Sequence, residues 1–98
     1  MSWKNDPDLA QFFDAIMTLN TQTECLRFFE DVCTIKELTD MAKRLEAARM
    51  LKTGMNYSEV AEKTGMSTAT ISRVNKCLKY GDGGYATALD RLEKGRKP

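Results

Sequence analysis

Apolar residues return every three or four positions from Leu9 to Leu92, and no proline interrupts them, because the two prolines of the chain are Pro7 and Pro98. Such spacing stacks side chains on one face of an α-helix, whereas a half-buried strand needs alternation by two. No stretch alternates for long enough to form a strand, so the chain is read as all-α, with six helices and short connectors. Leu9, Phe12, Phe13, Ile16 and Met17 stripe a first helix that begins near Asp6 or Asp8, with Pro7 suited to an early helical position. Asn20-Thr21-Gln22 breaks it, and Thr21 or Thr23 caps a second helix carrying Leu26, Phe29 and Val32, with Cys25 and Phe28 beside them. Thr34, followed three residues on by Glu37, is a capping-box pattern. It opens a third helix with Leu38, Met41, Leu45 and Ala48, which ends at Gly54. Gly54-Met55-Asn56 is a stop and turn, a short helix runs from about Ser58 to Thr64, and Gly65 turns the chain again. Ser67 caps a fifth helix running to about Tyr80, and Gly81-Asp82-Gly83-Gly84 ends it. Tyr85, Ala88, Leu89 and Leu92 stripe the last helix. Residues 1–98 are read as one domain, with residues 1–5 and 94–98 as flexible ends.

A hydrophobic fraction of 42% against 30% charged residues describes a globular chain. No apolar run nears the roughly 18 residues needed to span a membrane. The first residues lack the apolar core of a signal peptide, which places the protein in the cytoplasm. Cys25, Cys33 and Cys77 are not spaced as a zinc site and the chain has no histidine, so no metal site is expected, and the cysteines read as reduced, buried helix residues. The same inventory excludes most enzyme chemistry. There is no histidine, no cysteine nucleophile with a base, no glycine-rich phosphate loop and no motif of paired carboxylates, so neither an enzyme nor a cofactor is expected.

The net charge of +1 conceals a strong asymmetry. Residues 1–40 hold three basic and eight acidic side chains, a net of −5, whereas residues 41–80 hold eight basic and three acidic, a net of +5. The basic half is where a polyanion would dock. Within it, Tyr57–Lys76 meets the demands of a helix-turn-helix. Ala61 is small where two helices must cross closely, and Gly65, four residues later, tolerates the turn. Met66 plugs the turn, Val60, Ile71 and Val74 form the shared core, and Ser67 caps the second helix. With that core face fixed, the opposite face displays Thr68, Ala69, Ser72, Arg73 and Lys76. Thr68, Ala69 and Ser72 suit base edges, and Arg73 and Lys76 suit guanine or phosphate. Ser58 and Lys63, at the ends of the first helix, suit the DNA backbone, and Ser67 and Thr70 complete the predicted DNA-binding set.

The stretches Arg27-Phe28-Phe29-Glu30-Asp31, Arg44-Leu45-Glu46 and Thr68-Ala69-Thr70-Ile71-Ser72-Arg73-Val74, followed by Tyr80-Gly81-Asp82-Gly83-Gly84-Tyr85, resemble the Trp-repressor superfamily and within it the YerC/YecD group of small TrpR-like proteins. The resemblance covers about residues 9–90. It implies a six-helix subunit, an intertwined homodimer whose N-terminal helices interlock, and one reading head per subunit for a two-fold-related half-site. The four phenylalanines Phe12, Phe13, Phe28 and Phe29 agree with a second copy, being heavy cover for a 98-residue chain. In the Trp repressor, tryptophan sits between the third helix and the reading head. Thr34, Arg44, Thr70 and Arg73 match the family's ligand positions here, but Val74 stands where that repressor has glycine and Cys77 where it has serine. A branched side chain beside the indole slot obstructs it, so tryptophan is not expected as a corepressor and no small molecule is assigned.

Together these features predict a sequence-specific transcriptional regulator, a repressor that binds double-stranded DNA at a pseudo-palindromic operator as a homodimer. The alternative is a protein-interaction or small-ligand sensor module in which the acidic half does the work and the helix-turn-helix is only structural.

Overall fold

The structure, a computed structural model, describes residues 2–96. Six α-helices follow one another: α1 (Pro7–Met17), α2 (Gln22–Val32), α3 (Ile35–Lys52), α4 (Tyr57–Thr64), α5 (Thr68–Tyr80) and α6 (Gly84–Arg96). Among the described residues there is no strand. The chain divides into two compact units, Met1–Leu38 and Thr39–Pro98.

The first unit is built by caps and aromatic contacts. The Asp6 carboxylate accepts from the Asp8 N–H at 2.9 Å, with Pro7 in the first helical position of α1. The Thr21 hydroxyl accepts from the Glu24 N–H at 3.1 Å, and the Glu24 carboxylate reaches back to accept from the Asn20 N–H at 2.7 Å. Thr34 and Glu37 close the expected capping box, with bonds of 2.9 and 3.0 Å. The Thr34 N–H and hydroxyl hold the Glu37 carboxyl below its ordinary value. Phe12 and Phe28, with ring centres 5.7 Å apart, join α1 to α2, and Phe13 and Phe29 extend the ring cluster. No residue of α1 or α2 is buried. Met17 remains 82% exposed and Ile35, opening α3, 74%.

The second unit holds all the buried residues of the core. Ala47, Ala48 and Met50 of α3 meet Val60 of α4, Ile71 and Val74 of α5 and Leu89 of α6, flanked by Leu45, Leu51, Met55, Ala61, Met66 and Tyr85. The sequence reading placed Met41 in this stripe, yet it is 43% exposed, and the buried positions shift to Ala47 and Met50. At the end of α3 the Gly54 N–H donates to the Leu51 carbonyl and the Met55 N–H to the Met50 carbonyl, at 3.0 and 3.2 Å. This is a Schellman stop, with Met55 and Met50 in the same apolar cluster.

Asn56, read from sequence as part of a turn, caps α4. Its side chain accepts from the Glu59 N–H at 2.9 Å, and Glu59 accepts from the Asn56 N–H at 3.2 Å, so α4 starts one residue earlier than expected. Gly65 closes α4 at φ 74°, ψ 8° while its N–H donates to the Ala61 carbonyl at 2.8 Å. The Ser67 hydroxyl then accepts from the Thr70 N–H at 3.2 Å and starts α5. Helical structure reaches into both ends read as flexible. Trp3–Asn5 form a 3-10 turn, and α6 continues to Arg96 past an Asp90–Lys94 ion pair of 3.1 Å. Met1, Lys97 and Pro98 lie outside the described residues.

Two stability changes follow from this packing. Gly65→Ala has open space for its methyl group but must hold a left-handed backbone, so it lowers unfolding free energy by about 1 kcal/mol in urea titration. Ile71, fully buried, and Ser72, exposed, are sequence neighbours about 100° apart around α5. Ile71→Ala costs about 3 kcal/mol, and Ser72→Ala stays within about 0.5 kcal/mol of the parent. Equal losses from the two would contradict the orientation of α5.

Candidate nucleic-acid interface

The outer face of α5 is set by its inner one. Ile71 and Val74 are buried, so the side chains about half a turn away must face solvent. Thr68, Ala69, Ser72, Arg73 and Lys76 are all exposed. Ser67 is also exposed, although its hydroxyl lies 3.0 Å from that of Thr70. Thr70 itself is half-buried. Ser58 and Lys63 are exposed on the first and last turns of α4. The Gly65 turn thus presents eight of the nine predicted DNA-binding residues to solvent, and Thr70 sits at the margin.

The cations of this face are unspent. Neither Arg73 nor Lys76 has a carboxylate partner among the described residues, and the first turn of α5 carries no acidic residue. Arg49 of α3 is different. Its guanidinium grips the Glu46 carboxylate in a fork of 2.5 and 3.0 Å, and that bond, with the charge beside it, raises the Arg49 pKa.

Three of the four candidate ligand residues come together. Arg44, Thr70 and Arg73 line an open groove of about 590 Å³ with Val74, Lys76, Cys77 and Tyr85. Thr34 does not line it, and its hydroxyl is taken up in capping α3. Val74 serves two surfaces at once, lining the groove while remaining 3% exposed within the core. Burial pushes the Tyr85 hydroxyl pKa up, Cys77 adds to the shift and Arg44 opposes it. Cys77 is exposed, not buried as expected, because it lies on the groove side of α5 rather than over Ile71 and Val74. Cys25 and Cys33 are half-buried, and the Cys33 thiol donates to the Phe29 carbonyl at 3.1 Å.

Sequence reasoning missed several participants. Lys43 joins Arg44 beside the Gly65-Met66-Ser67 turn. Tyr85 reaches the groove because the glycine turn brings the start of α6 back beside α5. The Asn75 side-chain amide of α5 donates to the Tyr57 hydroxyl of α4 at 2.9 Å across 18 residues of sequence. Only the glycine turn carried any signal of this in the sequence. Among the described residues no cluster of His, Cys, Asp or Glu could hold a metal ion, and no helix is long and apolar enough to cross a membrane.

Comparison with known proteins agrees with this architecture. The family model for the Trp repressor protein matches residues 7–93. The uncharacterized protein YerC of Bacillus subtilis (strain 168) is 51% identical over 87 residues, which cover 89% of this chain and 84% of that protein. The crystal structure of a TrpR-like protein from Eubacterium eligens ATCC 27750 superposes with a TM-score of 0.88 at 47% identity, covering 91% of this chain and 92% of the other. A solved structure from Staphylococcus aureus gives a TM-score of 0.87 at 42% identity, covering 91% and 89%. By family model, sequence identity and fold alike, the chain belongs to the Trp repressor family and, within it, to the YerC group.

Proposed function

We propose that the protein is a sequence-specific DNA-binding regulator of transcription in the cytoplasm, a repressor that occludes a promoter, and not an enzyme. The observation that carries this reading is the exposed, cationic outer face of α5, held by a buried inner face. In a helix-turn-helix the N-terminal residues of the second helix meet base edges in the major groove. Thr68, Ala69 and Ser72 occupy those positions. Arg73 and Lys76 take guanine or phosphate, and Ser58, Lys63, Ser67 and Thr70 take the sugar-phosphate backbone. The two compact units act as one domain.

The reading includes an intertwined homodimer on a pseudo-palindromic operator. Its support is the first unit, whose apolar stripe has no buried member within one chain. A second copy covers that stripe and doubles the phosphate contacts, on which affinity depends steeply. No corepressor is required, tryptophan included. Val74 and Tyr85 form apolar parts of the wall of the groove where a ligand would lie, and Arg44 and Arg73 are left to phosphates.

Selection from a random DNA pool, with and without amino acids, enriches a motif of two related half-sites, and added tryptophan leaves affinity unchanged. Binding weakens steeply with salt, and Arg73→Ala or Lys76→Ala lowers the log–log salt slope by about 0.9 for each phosphate contact removed. A pool that enriches nothing, with a flat salt titration, would overturn the reading.

Light scattering gives twice the subunit mass. Phe13→Asp, at a position 54% exposed in the single chain, leaves helical content intact but shifts the protein to monomer and abolishes operator binding. A dimer unaffected by that charge would remove α1 from the interface.

A further inference from the structure

Tyr57 is a large aromatic at the first position of α4, and it is only 37% exposed. Its hydroxyl oxygen accepts a hydrogen bond from the Asn75 side-chain amide at 2.9 Å. Asn75 lies three residues after Ser72 and four before Lys79, both exposed. Helical spacing therefore puts Asn75 on the margin of the outer face of α5, beside those two side chains. The Tyr57 hydroxyl, tethered to Asn75, stands at the same margin.

A phenolic oxygen that accepts one bond still has its own proton to donate. Among the described residues no group accepts that proton. The bond from Asn75 withdraws charge from the oxygen and makes the O–H a stronger donor. It also fixes the ring, which removes the rotamer cost of ordering it on contact.

We propose that Tyr57 is a further DNA-contacting residue: a neutral donor, positioned by Asn75, that hydrogen-bonds one backbone phosphate in each half-site. The proposal rests on the DNA-binding reading above. It assigns the tyrosine a role distinct from the cations, because a neutral donor binds a phosphate oxygen without releasing a counterion. It also explains why a polar bond ties α4 to the margin of α5 when apolar packing already joins the two helices.

The test uses the full-length protein and the duplex enriched from the random pool, with binding read by fluorescence anisotropy over a range of salt. Tyr57→Phe weakens binding by at least about tenfold, the loss of one hydrogen bond to a charged acceptor, with an unchanged salt slope. Lys63→Ala serves as the contrast and lowers the slope. Each phosphate is then replaced singly by neutral methylphosphonate. At one position per half-site, parent and Tyr57→Phe bind equally well, because the partner of the hydroxyl has gone. Asn75→Ala retains the hydroxyl but loses its tether, and gives an intermediate loss that vanishes at the same position.

A Tyr57→Phe deficit that persists at every methylphosphonate position would overturn the proposal and reduce Tyr57 to a brace between helices. So would full affinity in Tyr57→Phe, while the parent still binds its site. If the parent itself binds no duplex, the DNA-binding reading fails first, which is a different result.

Discussion

Among the described residues Val60 and Ile71 are the largest side chains that lose all contact with solvent, and they share one core cluster with two fully buried alanines of α3. The orientation of α5 follows from that cluster. Val60 and Ile71 then fix α4 and α5 to the same small core. A helix anchored along one stripe has no freedom left about its axis, so the opposite stripe is committed to solvent whatever residues occupy it. Those residues are short hydroxyls, a methyl group and two cations without a carboxylate partner among the described residues, and none of them is buried.

The charge asymmetry coincides with a difference in burial. The acidic first unit consists of capped helices and packed rings, with nothing buried among its described residues. The basic second unit contains the entire core. A unit with an apolar stripe but no interior gains little from folding alone, since burial is the main driving force. Its helices are held by local devices, the Asp6, Thr21 and Thr34 caps, which define where each helix begins without supplying what it packs against.

What could be read in the sequence was what depends on local spacing. The six helices, the Thr34–Glu37 box, the Gly65 turn and the outward residues of α5 all follow from intervals of three and four along the chain, and the structure places them accordingly. The unread parts depend on distance through space. Asn56 comes two residues after Gly54 and reads as a turn, yet it caps α4 because Glu59 answers it from one turn on. Tyr57 and Asn75 are 18 residues apart and are not among the positions that the helix-turn-helix pattern specifies, and Tyr85 reads as one more member of an apolar stripe until the glycine turn folds it beside Cys77. Met41 had the right interval but sits on a part of α3 that the core does not reach. Periodicity identifies a face; it does not say how far along a helix that face is covered.

Val74 ties two properties together that most proteins keep apart. The same branched side chain closes the core of the second unit and forms the wall of the groove beside Arg44 and Arg73. Carving a deeper slot there means trimming Val74, and trimming it leaves a hole in the interior with its own energetic penalty. The depth of the groove and the packing of the core therefore draw on one shared volume.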